Sequence, residues 1–192
     1  MKELQMNIPS SWSEISIGRF EEIAKIEGEN PYEKTIQLLE ILTGLSDKDI
    51  RALPVTALES TGLTEKLSFL AKEPRKVMPR NEIKLNGTTY VMSLYPTKWT
   101  AGQYLDYNAS LSAAKEKKIA TIIACFAVPE GHKYGDGYDF ESVVNDINEY
   151  MSIEEGIGYS DFFHLQLESF KEALRAYTER KKRKSTRRQA RK

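Results

Sequence analysis

Few residues of this chain have side chains suited to chemistry. It carries two histidines, His132 and His164, and one cysteine, Cys125. His132 opens the densest polar cluster, HKYGDGYDFE, which also holds Asp136, Asp139 and Glu141. Carboxylates at that density suit a hard cation, but their spacing lacks the alternation of an EF-hand loop. Asp139 also stands where a helix N-cap belongs. His164 follows two phenylalanines and fits a helix surface better than a general base. Cys125 lies inside the apolar run IATIIACFAV, which predicts a packed, inert thiol, and a lone cysteine excludes an intrachain disulfide. There is no glycine-rich phosphate loop and no Cys/His pair at metal-ligand spacing. The expectation is a protein without catalytic residues, metal or cofactor: not an enzyme.

Charge is the second source of chemistry. The chain has 28 basic and 28 acidic residues, so its formal net charge is zero. Nine of the basic residues fall in the last thirteen, RKKRKSTRRQARK: Arg180, Lys181, Lys182, Arg183, Lys184, Arg187, Arg188, Arg191 and Lys192. Removing them leaves 19 basic against 28 acidic, so residues 1–179 carry −9 and the tail +9. Such an arm neutralises phosphates and releases counterions, which predicts weak, salt-dependent polyanion binding without sequence preference. No aromatic residue interleaves these charges to stack on bases.

The elements that must position these groups are mostly helical. SIGRFEEIAKIEG begins with Ser16 as a cap and sets Phe20, Ile23 and Ile26 on one face. NPYEKTIQLLEILTG has Asn30 as cap, Pro31 at the first helical position and Gly44 at the terminating position. Its inner face is expected to use Ile36, Leu39 and Tyr32. Ser46 and Asp49 form a capping box in the following SDKDIRAL. The sequence EIKLNGTTYVMSL is the one strong strand signal, a hairpin near residues 82–94 turning at Asn86 and Gly87. The early segment KELQMNI is the candidate for a third strand.

Thr100 and Gln103 box the next helix. The start SIGRF, after Trp12, is echoed by TAGQY after Trp99. Residues 119–128 are apolar nearly all round and predict a central buried helix. DFESVVNDINEYM follows as an amphipathic helix. The last helix is expected from Ser160, with Phe163, Leu167, Phe170, Leu174 and Tyr177 forming a seam, and to run unbroken into the tail because no Gly or Pro follows Tyr159. This describes a mainly α, α+β fold. The domain reading is a helical lobe over 1–72, a linker over 73–81, a hairpin and helical lobe over 82–179, and a basic tail over 180–192. No apolar stretch reaches the length of a spanning helix, and the N-terminus lacks a signal-peptide core, so the expectation is a cytosolic protein with no membrane partner.

Within LLEILTGLSDKDIRALPVTALESTGLTEKLSFL, residues Leu42, Thr43, Gly44, Leu45, Ser46, Asp49, Ile50 and Leu53, then Leu58, Leu67 and Leu70, form a helix ending, a short acidic helix and a leucine-rich helix. This stretch, residues 38–70, resembles the tail assembly chaperones of tailed bacteriophages. The resemblance implies a non-enzymatic protein in the cytoplasm of a bacterial host, which holds the tape-measure protein through helical apolar faces. Leu63, Leu67 and Leu70, with Phe163, Leu167, Phe170 and Leu174, are then the candidate partner contacts, and the protein is expected to be an oligomer or part of a larger assembly. Such chaperones are commonly made in two lengths by frameshifting on an A-rich run, and Lys181-Lys182 suits one. Residues from the hairpin onward depart from the compact form of that family. The alternative is a virion protein at the neck, portal or capsid interior, whose basic tail touches DNA or acidic subunits.

Overall fold

A computed structural model describes residues 7–54, 56, 62–112 and 116–189, without the side chains of 174 and 182–189. The fold is α+β and mainly α. Helices α1 (Ile17–Ala24), α2 (Pro31–Thr43), α3 (Asp47–Arg51) and α4 (Leu63–Lys66) precede the hairpin β1 (Glu82–Leu85) and β2 (Thr88–Met92). Then come α5 (Ala101–Ser112), α6 (Lys118–Ala124), β3 (Ala127–Pro129), α7 (Phe140–Tyr150) and the long α8 (Ile153–Gln189).

Local chemistry accounts for most of these ends. The Asn30 carboxamide accepts from the Tyr32 N–H at 3.0 Å, and Gly44 closes α2 in the left-handed region at φ 71°. Ser46 accepts from the Asp49 N–H at 3.2 Å and donates to its carboxylate at 2.6 Å. Thr100 and Gln103 exchange the two bonds of a capping box at 3.0 and 3.1 Å. The hairpin turns with positive φ at Asn86 (47°) and Gly87 (81°), the geometry that matches strand twist. Ile83, Leu85, Tyr90 and Met92 face the core.

The echo of SIGRF and TAGQY has a structural counterpart. Each preceding tryptophan is tied by its indole N–H to a carbonyl, Trp12 to Lys72 and Trp99 to Ser93, both at 2.7 Å. Gly18 faces Asn148 and Gly102 faces Tyr134, so each glycine lets another element close on the first turn of its helix.

Several expectations are corrected. The third strand is β3, antiparallel to β2 in the order β1-β2-β3. Of the segment expected in that place, Asn7 and Ile8 are not strand and residues 2–6 lie outside the described residues. The run 119–128 is not one helix. It turns at Cys125 and Phe126 and leaves as β3, where the Val91 N–H and C=O groups of the hairpin offer ladder partners opposite Val128. The last helix starts at Ile153 rather than Ser160. Ser152 caps it, accepting from the Glu155 N–H at 3.3 Å and donating to the Glu155 carboxylate at 3.1 Å. Gly156 and Gly158 disguise this start, being poor helix formers that are kept here by close packing. Tyr32 is 61% exposed, with the Arg51 guanidinium 5.7 Å from its ring centre, rather than on the inner face of α2.

One hydrophobic core draws on residues from Trp12 to Leu167. Trp12, Ile15, Ile17, Leu42 and Phe69 join Tyr107, Ile123, Phe126, Val144, Ile147, Tyr159 and Phe163 in it. Its centre is aromatic: Phe126 and Phe163 stack at 4.1 Å, and Trp99 lies 4.5 Å from Phe126. Ile36, Leu39 and Ile50 make a small satellite with Leu45 and Leu63. Residues 73–81 lie along the start of α8. The Arg75 N–H donates to the Glu154 carboxylate at 3.1 Å, and the Tyr159 hydroxyl accepts from the Arg80 N–H at 2.9 Å while donating to its carbonyl at 2.8 Å. Ion pairs Lys76–Asp161 and Arg80–Glu155 flank these bonds.

Candidate functional site

Three surfaces follow from this packing. The first is an open, largely apolar groove of about 260 Å³ between α1 and α2. It is lined by Ile23 and Ile26 from the α1 side, by Lys34, Thr35 and Leu38 from α2, and by Trp12 and Leu70. α1 ends at Ala24, so Ile26 reaches the groove from the turn after the helix. Trp12 is held firmly, edge-on to Phe20 and Phe69 and bonded to the Lys72 carbonyl.

The sequence-derived contact residues are placed unevenly around it. Leu70 lines the groove, Leu67 is half-buried against the main core, and Leu63 packs on the satellite cluster. Leu58 lies outside the described residues. Phe163 and Leu167 are fully buried in the chain's own core and leave no surface for a partner. Their seam emerges from the core beyond Leu167, with Phe170 37% and Tyr177 63% exposed and the Leu174 side chain outside the described residues. Ile23, Ile26 and Leu38 were not among the candidates. Their helical spacing was visible, but that spacing equally describes a closed core face.

The second surface is a cleft of about 380 Å³ framed by α5, α6 and the loop 130–139. Asp106, Ala109 and Ser110 form one wall, Thr121 and Cys125 the floor, and Tyr134, Tyr138 and Phe140 the opposite wall. The Tyr134 hydroxyl donates to the exposed Asp106 carboxylate. Burial, and then this bond, raise the Tyr134 pKa, and burial raises that of Tyr138. Burial also pushes the Cys125 thiol up to about 12, which keeps it protonated and unreactive at neutral pH. The acidic loop residues have local tasks. Asp136 accepts from the Lys133 N–H at 2.7 Å, and Asp139 caps α7 through the Glu141 N–H at 3.1 Å. Among the described residues no three His, Cys, Asp or Glu side chains are grouped to hold a metal ion. His132 meets the edge of Tyr138 at 6.1 Å and His164 is exposed.

The third surface is the end of α8. The helix continues through Gln189, carrying Arg180, Lys181, Lys182, Arg183, Lys184, Arg187 and Arg188 beyond the core, while Arg191 and Lys192 lie outside the described residues. Cations in the last turns of a helix interact favourably with its C-terminal dipole, and Arg180 and Lys181 are exposed. Cutting the chain after Glu179 is therefore expected to leave the melting temperature unchanged and to abolish low-salt retention on DNA or heparin. A fall in melting temperature would make the tail structural, and unchanged retention would remove the polyanion role.

Among the described residues no helix is long and apolar enough to cross a membrane. Comparison with protein families, with curated proteins and with solved structures finds no match to this chain.

Proposed function

We propose that this chain is a non-enzymatic assembly protein of a tailed bacteriophage, a tail assembly chaperone that holds the tape-measure protein in the host cytoplasm. The observation that supports this reading is the groove between α1 and α2. The segment 38–70 resembles such chaperones, and its first and last residues, Leu38 and Leu70, both line that groove. An open, largely apolar groove lined by a firmly held Trp12 suits one face of an amphipathic partner helix, read through anchors three or four residues apart. Lys34 at the rim adds a charge for an acidic flank of the partner.

The test is co-expression with the tape-measure protein of the same phage. Ile26→Asp and Leu70→Asp place a carboxylate in the groove, and each is expected to lower the yield of soluble complex roughly tenfold, the loss typical of a removed apolar anchor. Both residues are only half-buried, so circular dichroism should show the fold retained. Unchanged yield with a retained fold would overturn the groove as the holding site.

The cationic end of α8 favours a second reading, a virion component whose arm meets DNA or acidic subunits. Mass spectrometry of purified particles separates the two. A chaperone is absent from mature virions, whereas a neck, portal or capsid protein is present at fixed copy number.

A further inference from the structure

We propose that the tyrosine-lined cleft receives a cationic side chain from the basic end of α8 in a second copy of this chain, linking copies head to tail. The cleft has the composition that binds a guanidinium or ammonium group. Tyr134, Tyr138 and Phe140 line it with aromatic rings, and the exposed Asp106 supplies a carboxylate. Asp106 accepts from the Tyr134 hydroxyl through one oxygen, and among the described residues no cation pairs with it. The adjoining segment 130–139 adds Glu130, Asp136 and Asp139 against Lys133, a net negative charge beside the cleft, while Glu141 pairs with Lys117 at 3.9 Å.

The matching cations are in the same sequence. Residues 180–192 carry +9 and residues 1–179 carry −9, an opposition that one chain cannot satisfy internally at this site. α8 is continuous from the core to Gln189. At ~1.5 Å per residue, Arg180 stands roughly 20 Å along the axis beyond Leu167, the last fully buried residue of the helix. A helix leading away from the body cannot return its end to the body's own cleft, but it presents that end to another molecule. Tail and cleft are different surfaces, so the contact closes as a two-fold dimer where two copies exchange tails reciprocally and otherwise propagates into rings or open chains. This inference does not rest on the α1–α2 groove and stands or falls separately from it.

Sedimentation velocity of the full chain over a range of concentrations tests it, together with binding of a fluorescent peptide of residues 180–192 to the full chain. Self-association at low salt, weakening steeply as salt rises, is expected. Asp106→Asn keeps the side-chain shape and should weaken both self-association and peptide binding roughly tenfold, the usual loss for one charged hydrogen-bond partner. Tyr138→Ala should weaken both as well, by removing a ring face. Glu82→Gln makes the same charge change on exposed β1 and should alter neither. A chain that stays monomeric at low salt overturns the proposal. So does equal weakening by Asp106→Asn and Glu82→Gln, which would reduce the contact to general charge attraction, and so does peptide binding indifferent to Asp106 and Tyr138.

Discussion

Gly158→Ala is expected to destabilise the protein by about 3 kcal/mol, at the upper end of the usual cost of overpacking. Two effects oppose each other at this position. Alanine in a helix interior is favoured over glycine by ~1 kcal/mol. Against that, a Cβ on Gly158 would stand 1.9 Å from the Val77 carbonyl oxygen, which is backbone and cannot rotate aside. The Val77 N–H is itself held by the Glu154 carbonyl at 3.3 Å, and the neighbouring bonds from Arg75 and Arg80 pin the segment on both sides. Relief therefore means lifting residues 73–81 off α8 and losing those bonds together. Gly156→Ala supplies the contrast. Its Cβ would meet Cδ1 and Cγ1 of the buried Ile17 side chain at 2.6 and 2.8 Å, side-chain rather than backbone atoms, so its cost should be smaller. Chemical denaturation of the three proteins measures the difference. Equal or raised stability for Gly158→Ala would show that 73–81 does not rest on this turn.

Phe163→Ala is expected to cost about 4 kcal/mol, within the range for emptying a buried aromatic site. Its ring stacks on Phe126 at 4.1 Å and meets Tyr159, Phe162 and Trp99 within 6.4 Å, so its loss opens a cavity at the centre of the core. Phe170→Ala, seven residues on along the same helical seam, should change stability by no more than about 0.5 kcal/mol, because its ring is already partly in water. Thermal or urea unfolding of the pair separates core from surface along α8. Similar losses for both would mean that the seam beyond Leu167 is buried too, against a partner or a second copy.

The local parts of this fold were legible residue by residue. Asn30 and Gly44 bound α2, Ser46 and Asp49 start α3, Thr100 and Gln103 start α5, and Asn86-Gly87 turns the hairpin. In each case the side chain or glycine satisfies backbone groups within four residues, so the signal and its partner are read together. The continuity of α8 into the basic end was legible for a related reason: nothing after Tyr159 interrupts a helix. The charge opposition between body and tail is a property of composition alone.

What only the tertiary structure decided depended on partners far away in the chain. Gly156 and Gly158 weaken the local helix signal, yet they belong to α8 because Ile17 and Val77 close against them. Ala127 to Pro129 has the apolar character of the helix before it, and the waiting edge of β2 turns it into a strand. One apolar period on α8 yields both a core residue at Phe163 and a half-exposed one at Phe170, since spacing records a face but not where the core ends. The groove and the cleft arise the same way. Ile23 and Leu70 line one groove, and Asp106 bonds to Tyr134 beside the cleft, through packing that no stretch of neighbouring residues encodes.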